Sequence, residues 1–262
     1  SPASESNPYG MYISPDGIYF YLVGHSTDQV IQYTMSTAWD ISTASYTREQ
    51  DLLIANGNDF ADPIGINFKS DGTMFWVVSQ NSDAIQQYTL STPWDVSTLS
   101  VGHFKSLTGG FFTLHPLDEN ENNYNLGSIE DIWVSEDGTK VWMPDSSYDT
   151  VHQLKLSTPF NITTATYDGC TTRVTAYQGD FGGIYVNEAA SKAFTCAPSG
   201  DWVRSWDFGG LVFSNDNEGG VGFLNGVTVK GDIVNNGLFN QQGRSSLLLA
   251  DVHSTFNTYG TT

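Results

Sequence analysis

The sequence predicts an all-β chain, a β-propeller-like array of about four four-stranded blades followed by a small β-rich C-terminal segment. One observation behind this is a stretch of about forty residues, the length of a blade, that recurs from Gly10 to Tyr46, Gly65 to Val101 and Asp131 to Tyr167, with a weaker copy from Gly183. Another is the texture inside each copy, aromatic and β-branched bursts between Gly and Asp turns, too short for helices. A third is a change of character after Asn215, which divides the chain into a repeat domain, 1–215, and a fibre-like or oligomerisation segment, 216–262.

Within a copy the first strand is short and alternating, as in Met11 to Ser14. A tight turn follows in which Asp16 bonds its own backbone and Gly17 takes a positive φ, with equivalents Asp71 and Gly72, then Asp137 and Gly138. The apolar runs Ile18 to Val23, Thr73 to Val78 and Thr139 to Met143 read as buried second strands. Turns at Asp28, Asp83 and Asp149 lead to third strands that carry Gln32, Gln87 and Gln153 at one step. At the corner before the fourth strand, Trp39, Trp94 and Phe160 are expected to fill the gap between sheets, while Asp40, Asp95 and Asn161 open a turn. The repeated aspartates could form a ring of metal ligands, but residues that recur in every blade are read as scaffold. Asn161 heads an Asn-Ile-Thr sequon, and turn duty already accounts for it.

A formal charge of −19 with ten Lys plus Arg argues against nucleic-acid binding, which needs basic side chains to neutralise phosphates. No apolar run is long enough for membrane insertion. The first ten residues show neither Met nor a leader pattern, which suggests a processed or truncated product. Cys170 and Cys196 flank the boundary of the third and fourth copies, where a disulfide and two buried thiols are both open; their spacing suggests neither zinc nor redox chemistry. Low lysine with abundant Gly, Ser, Thr and Asn points to a virion or extracellular setting.

Binding tends to sit where a repeat scaffold is interrupted. The largest interruption, 102–130, crowds His115, Asp118, Glu119, Glu121 and Tyr124 together. Carboxylates beside an aromatic platform suit calcium or carbohydrate, and a solvated acidic loop is the plain alternative. Glu130 and Asp131 replace Ile64 and Gly65 of the second copy and are candidate metal ligands in a central channel. No cofactor is otherwise implied. His152 stands where other copies have Ile or Gln and reads as a packed or surface residue. No nucleophile elbow, zinc helix, phosphate loop or dinucleotide fingerprint occurs. Beyond Asp216 short strands alternate with NG, KG, NNG and QQG, and Leu247 to Leu249 is an assembly contact or ordinary core.

Taken together, SPDG, DxVxQYxLST and WDxSTASY in this order resemble a repeat of β-propeller-like proteins from bacteriophages and aquatic bacteria. The resemblance covers residues 7 to 170 closely and 181 to 214 loosely, and the fourth copy has lost both the SPDG turn and the WDxST corner. It implies virion or surface proteins rather than a particular activity. With the fibre-like C-terminus, it leads to an expected non-enzymatic structural or adhesive protein of an extracellular particle, a phage tail fibre, spike or capsid decoration. Expected partners are further copies of the chain, other virion proteins or a cell-surface glycan receptor. The alternatives are a secreted propeller that binds glycans or builds a filament, and a calcium-dependent lactonase or glycosidase.

Overall fold

The computed structural model describes residues 5–55, 57–108, 127–147, 150–173, 182–187, 192–197 and 202–207, with four short strands beyond them. The protein is all-β and propeller-like. Blade 1 holds β1 (Pro8–Ile13), β2 (Tyr19–Gly24), β3 (Gln29–Met35) and β4 (Ala44–Asp51). Blade 2 holds β5 (Pro63–Phe68), β6 (Met74–Ser79), β7 (Ala84–Leu90) and β8 (Leu99–Ser106). Blade 3 holds β9 (Trp133–Val134), β10 (Lys140–Asp145), β11 (Thr150–Leu156) and β12 (Ala165–Arg173). Blade 4, among the described residues, has β13 (Gly183–Val186), β14 (Lys192–Ala197) and β15 (Trp202–Asp207). Each blade is an antiparallel meander in chain order. In the C-terminal region β16 (Val227–Val229) pairs in parallel with β18 (Leu247–Leu249), and β17 (Ile233–Asn235) with β19 (Phe256–Thr258).

The turn and corner chemistry repeats with the sequence. Asp16, Asp71 and Asp137 accept the backbone N–H of Ile18, Thr73 and Thr139 at 3.0, 3.0 and 2.9 Å, so these carboxylates serve the turns. Asp40, Asp95 and Asn161 cap one-turn 3-10 helices by accepting from Ser42, Ser97 and Thr163. The corner aromatics Trp39, Trp94 and Phe160 sit at φ 64°, 65° and 62°, a region costly for bulky side chains. Each ring lies on the turn glycine of its own blade. A Cβ at Gly17, Gly72 or Gly138 would come within 2.4, 2.3 and 2.5 Å of that ring.

The core lies between blades. Tyr21, Val23 and Val30 of blade 1 pack on Ile66, Phe68, Phe75 and Val96 of blade 2. Trp76, Val78 and Ile85 of blade 2 pack on Ile132, Val141, Leu154 and Ile162 of blade 3. Trp142 and Val151 of blade 3 meet Ile184, Val186 and Ala193 of blade 4. Polar contacts cross the same seams. Gln32 and Gln87 accept the N–H of Val96 and Ile162 in the next blade, both at 3.3 Å. Gln153, whose following copy lacks a corner, accepts instead from Trp142 Nε1 at 2.8 Å.

Trp94 stacks against Tyr12, Tyr19 and Phe68, and Phe160 against Trp76. Trp39, by contrast, is 62% exposed. The expectation that all three aromatics fill a seam therefore holds for two, because among the described residues no neighbouring blade packs over Trp39.

Candidate functional site

One rung of the repeat is occupied by Gly10, Gly65 and Gly183 in the inner strands of blades 1, 2 and 4, and by Asp131, two residues ahead of β9, in blade 3. A Cβ on Gly10 would lie 2.7 Å from Ile64 O, and one on Gly65 would lie 2.6 Å from Asp131 Cα. Glycine is needed there because the neighbouring backbone comes too close for a side chain. Asp131 departs from the pattern and turns its carboxyl towards blade 4. Its Oδ2 accepts from Ile184 N at 3.0 Å and its Oδ1 from Ile132 N at 2.8 Å. The residue is half-buried. Burial pushes its pKa up to about 7, against the opposing pull of those two N–H donors. Cys196 Sγ and Asp131 Oδ2 flank Gly183, at 3.4 and 3.5 Å from where its Cβ would stand. Burial, and then the Asp131 charge, raise the Cys196 thiol. Cys196 is a free thiol here rather than half of a bridge with Cys170, whose side chain lies outside the described residues.

Beside Asp131 a second polar group closes the end of blade 3. Asp145 is fully buried and accepts from Gly127 N at 2.8 Å and Ser147 N at 3.0 Å. His152 Nε2, also buried, is placed to donate to Asp145 Oδ2 at 3.0 Å. The pair takes the positions of Gly24 with Ile31 in blade 1 and Ser79 with Gln86 in blade 2. His152 is thus a buried partner of a carboxylate. Asp145 went unremarked in the sequence, although the signal was available as an acid where the repeat has a small residue.

Glu130 accepts from Ser146 Oγ at 2.5 Å, so it and Asp131, though adjacent, serve different partners. Among the described residues no three His, Cys, Asp or Glu side chains converge as metal ligands. Both oxygens of Asp131 already hold an N–H, so the donor set present does not fit a calcium ion. The other candidate group, His115, Asp118, Glu119, Glu121 and Tyr124, lies outside the described residues.

Among solved structures the chain is similar to a putative 6-phosphogluconolactonase from Bacteroides fragilis, at 14% identity over 79% of this chain and 53% of that one, with a TM-score of 0.50. A putative 6-phosphogluconolactonase from Bacteroides uniformis gives 11% identity, 76% and 50% coverage and a TM-score of 0.48. A β-propeller domain from Myceliophteria thermophila gives 11% identity, 76% and 53% coverage and 0.44. The chain spans about half the length of these structures. No family model and no curated protein matches. These likenesses bear on the fold. They correct the expectation of a non-enzymatic virion protein: the Bacteroides fragilis structure is named a putative 6-phosphogluconolactonase, and no phage or virion protein stands among the structures described.

Proposed function

We propose that the chain is a propeller-scaffold hydrolase of neutral lactones, with Asp131 as its proton-transfer residue. The observation that carries this is a half-buried carboxyl poised near neutrality just ahead of the innermost strand, at the rung where the other blades have glycine. An acid that titrates near the working pH can take and return a proton in one cycle. Water adds to the lactone carbonyl while the Asp131 carboxylate takes its proton. The ring C–O bond then breaks, its oxygen recovers that proton, and a hydroxy acid leaves. The likeness to putative 6-phosphogluconolactonases supports the scaffold. The charge of −19 would repel a phosphorylated substrate and favours a neutral one. No step is routed through a metal.

The test is acid release from neutral and phosphorylated sugar lactones in a pH-stat, with and without chelator. The expected outcome is hydrolysis of neutral lactones that is indifferent to chelator, with kcat/KM rising with pH through about 7 as the base form appears. Asp131→Asn should lower kcat/KM by about 100-fold or more with an unchanged near-UV spectrum. A wild-type rate equal to buffer, or an unaffected Asp131→Asn variant, overturns the reading.

A further inference from the structure

Asn161, Ile162 and Thr163 form the one Asn-x-Ser/Thr sequon in the 262 residues. They stand at the corner of blade 3, where the same three places hold Asp40, Ile41 and Ser42 in blade 1 and Asp95, Val96 and Ser97 in blade 2. Cap duty asks only for an oxygen at the first place. Asp40, Asp95 and Asn161 each supply it, accepting the backbone N–H two residues on at 3.1, 3.0 and 3.0 Å. The same oxygen accepts that residue's hydroxyl at 2.6, 2.6 and 2.7 Å. An aspartate would therefore serve in blade 3 as it does in the other two, and the cap does not account for the amide nitrogen. Among the described residues Asn161 Nδ2 donates to no group, and it is not enclosed by the fold. Thr163 is exposed beside it, while Ile162 turns into the seam and is fully buried.

We propose that Asn161 is an acceptor for N-linked glycosylation, its donor a polyprenyl-pyrophosphate-linked oligosaccharide. The hydroxyl of Thr163 donates to Asn161 Oδ1, which polarises the amide and makes its N–H easier to give up. In the transfer, Nδ2 bonds to the anomeric carbon of the sugar. The bond from that carbon to the pyrophosphate oxygen breaks, its electron pair leaves with the pyrophosphate, and one amide proton passes to a carboxylate of the transferase. The product still has Oδ1 as an acceptor, so the cap on Thr163 survives and the glycan leaves the corner towards solvent, where such a bulky group belongs. Asp40 and Asp95 have no nitrogen to offer, which confines the site to blade 3. Sequons are used in secreted chains, so the proposal includes export of the chain. It does not depend on the role of Asp131.

Export of the full chain through a secretory host that makes N-glycans tests this, read by intact mass before and after peptide N-glycosidase. The secreted, folded wild type should carry a single glycan, located to the peptide that contains Asn161, and should return to the mass of the polypeptide on digestion. Asn161→Asp keeps the cap oxygen and should lose the glycan. Thr163→Val removes the hydroxyl and should lose it too, whereas Thr163→Ser, with the side chain of the other two corners, should retain it on part or all of the chains. Removing the glycan should leave circular dichroism and melting temperature unchanged. A folded wild type without a glycan overturns the proposal and leaves Asn161 a neutral cap only. So does a glycan that persists in Asn161→Asp, which places it elsewhere, or one that persists in full in Thr163→Val, which shows that the sequon is not read. A glycan carried only by misfolded chain retained in the cell overturns it as well, because the folded corner then does not accommodate it.

Discussion

At the scale of single residues, the same sequence position does different work depending on what its neighbours leave free. The rung of Gly10, Gly65 and Gly183 excludes side chains, yet Asp131 fits because its carboxyl finds the Ile184 N–H and its own Ile132 N–H. Those two donors do not offset its burial, and its proton is held to about 7 against an ordinary value of 3.8. A raised carboxyl stabilises the fold fully below its unfolded pKa and loses that contribution as pH rises through the folded one. Wild type should therefore lose stability from about pH 4 to 7 relative to Asp131→Asn. Urea midpoints at pH 4.5, 6 and 8 check this, and parallel midpoints for the two proteins would refute it. Exposed Asp71 and Asp137 and half-buried Asp95, with lowered values, contribute in the opposite sense in both proteins and cancel in the comparison.

At the scale of elements, the blade junction sets the cost of a substitution more than the residue type does. Ile162 and Ile41 occupy the same corner, after Asn161 and Asp40 respectively. Ile162 is fully buried under blade 2 and its N–H is taken by Gln87. Ile162→Ala should cost about 2–5 kcal/mol through lost burial and the cavity left behind. Ile41→Ala, at a side chain that is 57% exposed, should stay within about 0.5 kcal/mol. Equal effects in chemical denaturation would show that blade 2 does not cover the Ile162 corner. Strand order, turns and corners were legible because each is set by local chemistry: Asp and Gly for the turn, an Asx cap for the corner, alternation for the strands. The seams were less legible. Nothing local in Trp39 distinguishes it from Trp94; the difference is that the rings of Tyr12 and Tyr19 from blade 1 stack on Trp94, while Trp39 stands 62% exposed. Asp145 with His152 was missed for a related reason, since its meaning comes from the Gly127 and Ser147 backbone that folds around it.

At the scale of the whole molecule, period and composition carry different information. The repeat gives the architecture because four copies of one unit bury one another's faces. It is nearly silent on activity, because most of what recurs is scaffold, and the expectation of a virion protein followed texture rather than a site. Charge is a global property with a global consequence. At −19 with ten basic residues, the folded chain holds like charges closer together than the unfolded one, and self-repulsion opposes compaction. The Arg48–Asp95 and Lys69–Asp71 pairs relieve it only locally, at part-exposed sites where ion pairs contribute about 0–1 kcal/mol. Salt shortens the reach of repulsion from about 30 Å at 0.01 M to about 3 Å at 1 M. The melting temperature should therefore rise steadily with sodium chloride between those limits. Most of the gain should come below about 0.2 M, where the screening length shrinks fastest. A curve that is flat or falls over that interval would mean that attractive pairs outweigh the net repulsion, and that the acidic surface is compensated by contacts other than these two.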